Sequence, residues 1–114
     1  GAGLTIVAAY DRTAPGGGFP ASHTGVVAVA DAGPGALIQG VLYAPGRDIP
    51  TTEPGGRWFL VSGSSYAAAH VSGLFALLRE RMALVHSPLI AAVAQSGDGI
   101  DACATLLQRS GPCN

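Results

Sequence analysis

The chain has 114 residues, 17 of them Gly and 8 Pro, with a formal net charge of −1. All six basic residues are arginines scattered along the chain, which excludes the basic stripe of an ordinary nucleic-acid-binding surface. Only 11% of residues are charged and 48% are hydrophobic, against roughly 25% charged in an average soluble domain. That balance excludes disorder and suits a core element with little surface of its own. The length allows one domain of ordinary size or part of a larger one.

In chain order, Leu4-Thr5-Ile6-Val7-Ala8-Ala9 reads as a strand buried on both faces. Tyr10 to Thr24 is a loop, broken by Pro15-Gly16-Gly17-Gly18 and Phe19-Pro20. Val26 to Ala30 is a second buried strand, and Asp31 to Gly35 a turn. Leu42 to Ala44 is a short third strand, ended by Pro45-Gly46. Asp48 to Thr52 and Arg57 to Val61 form a hairpin around Glu53-Pro54-Gly55-Gly56. From Ser65 the pattern becomes helical. Ala67, Val71, Leu74, Leu77 and Leu78, with their small neighbours, leave almost no polar face before Arg79, so the helix is expected inside the protein.

Two amphipathic helices follow, about Pro88 to Gln95 and Asp101 to Arg109. Pro88 suits a first turn and Asp101 a cap or first turn. Asp98-Gly99-Ile100-Asp101 reads as a turn and helix start, with a calcium loop as the weaker alternative. Cys103 and Cys113 are too far apart for a zinc knuckle, and no second pair exists. They are read as a local disulfide, with free thiols as the alternative. A disulfide would point to an oxidising compartment, extracellular or periplasmic.

The longest charge-free run, Trp58 to Leu78, has the length of a membrane span. Ser62, Ser64, Ser65, His70 and Ser72 make it too polar to face lipid, so no membrane partner is expected. The start Gly1-Ala2-Gly3 has no Met and lacks the basic region of a signal peptide; a start without Met fits a processed chain, and secretion stays open. Buried-type strands need helices on both faces, and this sequence has few to spare. A bare sheet face or edge is therefore expected, and with it a missing half, a partner chain or self-association.

Chemistry concentrates in Ser62 to His70. Gly63 and small residues lead from a strand into a helix, whose first turn has unpaired N–H groups and partial positive charge. A serine there lies beside a ready-made oxyanion site, although such serines are ordinarily helix caps. The G-x-S-x-G elbow is excluded, because Ala67 stands where glycine is required. Asp48, Glu53, Asp98 and Asp101 form no EF-hand loop, and Gly16-Gly17-Gly18 lacks the lysine of a phosphate loop. Tyr43, Trp58 and Phe59 read as packing residues, and His23, His70 and His86 as structural.

The run Gly63-Ser64-Ser65-Tyr66-Ala67-Ala68-Ala69-His70-Val71-Ser72-Gly73 resembles the serine motif of subtilisin-like serine peptidases, G-T-S-x-A-x-P-H-V-x-G. Ser64 replaces its Thr and Ala69 its Pro. Upstream, Ala44-Pro45-Gly46 with Thr52-Glu53-Pro54-Gly55 resembles the family's A-P-G…T-x-P-G. Gly18-Phe19-Pro20 with Val26-Val27-Ala28-Val29 resembles its G-Y-P…V-I-A-V. The similarity covers roughly residues 4 to 80.

The resemblance implies an α/β fold: the C-terminal, serine-bearing part of a subtilisin-like domain, with a mainly parallel sheet, a β-hairpin and a buried helix after the serine motif. Residues 1–114 would be a partial peptidase domain with a helical segment over 86–114. It implies Ser65 as nucleophile in the hydrolysis of peptide bonds through an acyl-enzyme, with its N–H as an oxyanion donor. Asp11 occupies the position of a second donor, Asn in most of the family; only a protonated Asp could donate there. Ala8, Ala9, Tyr10 and Gly18 fall on substrate-pocket positions. The family's D-T/S-G and H-G-T motifs have no match here, so the isolated chain is expected to be inactive. Expected partners are a polypeptide substrate and either the missing half-domain or a second copy. No cofactor or metal is expected, calcium belonging to other parts of the family fold. The alternative is a non-catalytic derivative that self-associates or binds a partner.

Overall fold

The computed structural model describes residues 4–33, 37–81, 89–96, 99–108 and 113. The readings made for Gly1 to Gly3, Pro34, Gly35, His86, Pro88, Asp98, Arg109, Gly111 and Pro112 lie outside them. Three β-branched runs form a parallel sheet in the order β1 (Ile6–Ala9), β2 (Val26–Asp31), β3 (Val41–Ala44). The register sets Val7 beside Val27 and Val29 beside Leu42. Side chains alternate between the faces, as the period of two requires. Val27, Val29, Leu42 and Ala44 point to one side and Ala8, Ala28, Ala30, Val41 and Tyr43 to the other.

The first side is covered by α1 (Ser64–Arg81), which buries Ala67, Val71, Leu74, Phe75 and Leu78. Those positions recur at three- and four-residue intervals and make one stripe. The expectation of a helix inside the protein is corrected in part. Its other face, with Ala69, His70, Gly73 and Leu77, is exposed, because Ile49, Ile100 and Ala102 only flank an open cavity over it and do not fill it. β1 is also less covered than expected. It is an edge strand, Leu4 precedes it, Ile6 is 55% exposed, and only Ala8 is fully buried.

The hairpin pairs β4 (Ile49–Glu53) with β5 (Arg57–Val61), Thr51 opposite Phe59. Trp58 and Phe59 are not packing residues as read from the sequence: Trp58 is 71% exposed, since a two-stranded ribbon has no layer on either side. Tyr43 does pack, and its hydroxyl accepts the N–H of Ile38 at 2.6 Å.

The expected helix from Pro88 to Gln95 is corrected to a 3-10 turn, Leu89–Ala92, followed by β6 (Gln95–Ser96) paired with β7 (Gly99–Ile100). Gly99-Ile100 is therefore strand, not turn. Thr105 explains why the chain stays extended there. Its Oγ1 accepts the N–H of Ala94 at 2.8 Å, while the carbonyl of Ala94 accepts the N–H of Asp101. The last helix, α2 (Ala102–Leu107), starts as expected: Asp101 caps it by accepting the N–H of Ala104 at 2.8 Å. Cys103 and Cys113 are joined in a disulfide.

Candidate active site

Parallel strands end at one edge, and here that edge carries Ala9, Asp31 and Ala44. Ligands of such sheets bind beyond the carboxyl ends of the strands. α1 begins at the same edge and runs back along the sheet. At its start the Gly63 N–H donates to the carbonyl of Gly46, just past β3, at 2.7 Å. At its far end Arg79 Nη2 donates to Thr5 Oγ1, just before β1, at 3.1 Å. Ser65 therefore sits on the first turn of an 18-residue helix over the carboxyl edge, with an exposed side chain. A Cβ built on Gly63 would lie 3.6 Å from its Oγ, so the hydroxyl leans over a residue with no side chain to screen it. The helix dipole and the unpaired N–H groups of the first turn favour negative charge at this point.

The loop after β1 holds the other expected site residues. Tyr10 N–H donates to Val29 O at 2.7 Å, and Asp11 N–H to Gly17 O at 3.0 Å, folding the loop back on itself. The Tyr10 ring packs against Gly17, where φ is +89° and a Cβ would collide with it. A Cβ on Gly18 would stand 3.9 Å from Asp11 Cβ, so Gly18 and Asp11 are neighbours. Ala8 and Ala9 end β1 immediately before them. The structure thus gathers Ala8, Ala9, Tyr10, Asp11 and Gly18 at the edge from which α1 starts.

Asp11 is exposed, and its Oδ1 accepts from Thr13 Oγ1 at 2.7 Å and from Thr13 N–H at 2.8 Å. These two bonds, the hydroxyl first, hold its carboxyl below the usual carboxylate value. It is ionised at neutral pH and cannot donate. His70 donates from Nδ1 to the carbonyl of Tyr66 at 3.0 Å, one turn back on its own helix. His23 makes a similar bond to Thr24 O at 2.8 Å. Among the described residues no group of three or more His, Cys, Asp or Glu could hold a metal ion, and no helix is long and apolar enough to cross a membrane.

Sequence reasoning missed Asp31, which it read only as the start of a turn. Its Oδ1 accepts from Ser64 Oγ at 3.5 Å, and its Oδ2 faces Arg47 Nη2 at 3.8 Å. The one signal was an acidic residue closing an apolar strand.

No family model matches the chain. A thermostable alkaline protease of Halalkalibacterium halodurans is 34% identical over 93 residues, covering 70% of this chain and 25% of its own length. An intracellular serine protease of Paenibacillus polymyxa is 49% identical over 39 residues, covering 34% of this chain and 12% of itself. Subtilisin-like protease 6 of Trichophyton schoenleinii is 48% identical over 44 residues, covering 39% and 10%. The chain thus spans at most a quarter of the length of these relatives. The prenylagaramide maturation protease PagA superposes with a TM-score of 0.67 at 22% identity, over 95% of this chain and 51% of that one. Sequence motifs, relatives and fold agree, and the chain belongs to the subtilisin-like serine peptidase family.

Proposed function

We propose that this chain is the serine-bearing portion of a subtilisin-like endopeptidase that hydrolyses peptide bonds through an acyl-enzyme, with Ser65 as nucleophile. The observation that carries this is the exposed Ser65 on the first turn of α1, over the carboxyl edge of the parallel sheet. In this reading the Ser65 hydroxyl attacks the scissile carbonyl. A histidine takes its proton and an aspartate orients that histidine. Neither matches a position in these 114 residues, so both would come from adjoining sequence or a second chain. The Ser65 N–H donates to the oxyanion. Ala8, Ala9, Tyr10 and Gly18 form the pocket for the side chain before the scissile bond. The Cys103–Cys113 disulfide supports an oxidising compartment, extracellular or periplasmic.

Asp11 favours a second reading, a non-catalytic derivative that binds a partner or a second copy of itself. A carboxylate at the second donor position repels a developing oxyanion. Peptide hydrolysis by the chain expressed with its adjoining coding sequence separates the two readings. The enzyme reading expects turnover that Ser65→Ala abolishes. It also expects Asp11→Asn, which restores a donor, to raise kcat by up to about 10². Wild-type turnover of zero, unaltered by Asp11→Asn, contradicts it. The sign of the pH effect is fixed. A lowered folded pKa gives stability that is present above the ordinary value, about 3.9, and lost as pH falls through the lowered one. The rate above about pH 5 should therefore show no titration that Asp11→Asn removes.

A further inference from the structure

We propose that Asp31 is a positioning residue for Ser65, acting through Ser64. This rests on the reading of Ser65 as nucleophile. Three contacts tie the turn before α1 to the end of β2 and the segment that follows β3, and a fourth joins those two to each other. The Gly63 N–H reaches Gly46 O at 2.7 Å. The Asp48 N–H donates to Ser62 Oγ at 3.0 Å. Ser64 Oγ donates to Asp31 Oδ1 at 3.5 Å, and Arg47 Nη2 faces Asp31 Oδ2 at 3.8 Å. Gly46 lies in the middle. A Cβ there would come within 2.6 Å of Asp31 Cβ, 2.8 Å of Gly63 O and 3.2 Å of Ala67 Cβ, so both strand ends and the helix meet with no room for a side chain.

The first two contacts hold residues 62 and 63. The Asp31 contact holds Ser64, the first residue of α1 and the immediate neighbour of Ser65. Ser64 and Asp31 are 33 residues apart, so the contact fixes the helix start against the sheet rather than against its own turn. The ion pair itself contributes little: the Arg47 side chain is 57% exposed and water screens it. The Asp31 side chain, at 23%, is mostly covered and holds its place as an acceptor. Its charge also lies at the positive end of the helix dipole. Small displacements of a nucleophile cost large factors in rate, so the effect should appear in kcat rather than in binding.

The test uses the chain with its adjoining coding sequence, read by peptide hydrolysis and by amide hydrogen exchange at Gly63 and Tyr66, whose N–H groups close this turn. Asp31→Ala should lower kcat about tenfold while KM stays within about twofold. Ser64→Ala should do the same, and the double variant should lose no more than either alone. Asp31→Asn keeps an acceptor oxygen and should restore kcat. Exchange at both amides should quicken in Asp31→Ala and not in Asp31→Asn. Unchanged kcat and exchange in Asp31→Ala, or losses that multiply in the double variant, overturn the proposal. If the wild type hydrolyses nothing, the peptidase reading falls. Exchange then decides alone whether Asp31 anchors the start of α1: quickening in Asp31→Ala supports that anchoring, and its absence overturns it.

Discussion

The parallel sheet with α1 and the strand β5 of the hairpin both carry runs of large apolar residues, yet only the first are buried. Val29, Ala30, Ala44, Ala67, Val71 and Leu78 are fully enclosed, whereas in Trp58-Phe59-Leu60 every side chain is exposed, Leu60 to 60%. The difference is one of layers. α1 lies on one face of the sheet, and the loop carrying Tyr10 and Ala21 packs with Tyr43 and Ile38 on the other. The hairpin has two strands, its Glu53–Arg57 ion pair, and no described element over either face. Burial sets stability, so the half of the molecule that presents Ser65 should be rigid and the hairpin should be energetically silent in folding.

Four substitutions sharpen or break this contrast, measured by urea unfolding unless stated. The largest effect is expected from Leu78→Ala in the enclosed core, a loss of about 2–5 kcal/mol. Opening the disulfide with Cys103→Ser should cost about 3 kcal/mol in the loop-closure picture, for a ring with sequence separation 10. Removing the cap with Asp101→Ala should cost about 1 kcal/mol. The smallest effect should come from Leu60→Ser in the hairpin, within about 0.5 kcal/mol. That variant should act on association instead. The 11.3 kDa chain is expected to elute larger than a monomer on sizing, and Leu60→Ser to shift it toward monomer. Equal losses for Leu78→Ala and Leu60→Ser would break the comparison.

Legibility in the sequence followed the same division. The runs Val26 to Ala30 and Leu42 to Ala44 announce buried parallel strands, because β-branched and small apolar residues crowd both faces. The start of α1 was legible because Gly63 and two serines separate a strand from an alanine-rich run. Asp101 declared its cap. By contrast Leu89 to Gln95 has helical composition but forms only a 3-10 turn and the start of a short strand. Thr105, about ten residues later, claims the backbone of Ala94 instead. Trp58 and Phe59 read as buried because aromatics usually are, and only the topology reveals a ribbon with no layer above it. Within the candidate site, Ser65 and Asp11 could be found from motif positions. The Thr13 bonds that keep Asp11 charged depend on the loop's turn, and the Asp31–Ser64 contact joins residues 33 apart. Such contacts are created by the fold and leave no local pattern.

The central claim is that Ser65 is an activated nucleophile. Mass spectrometry after treating the chain, expressed with its adjoining coding sequence, with a fluorophosphonate tests it most directly. The account predicts one adduct per molecule, on Ser65, and none in Ser65→Ala. A cooperatively folded protein left unmodified, or modified on another serine, would contradict it.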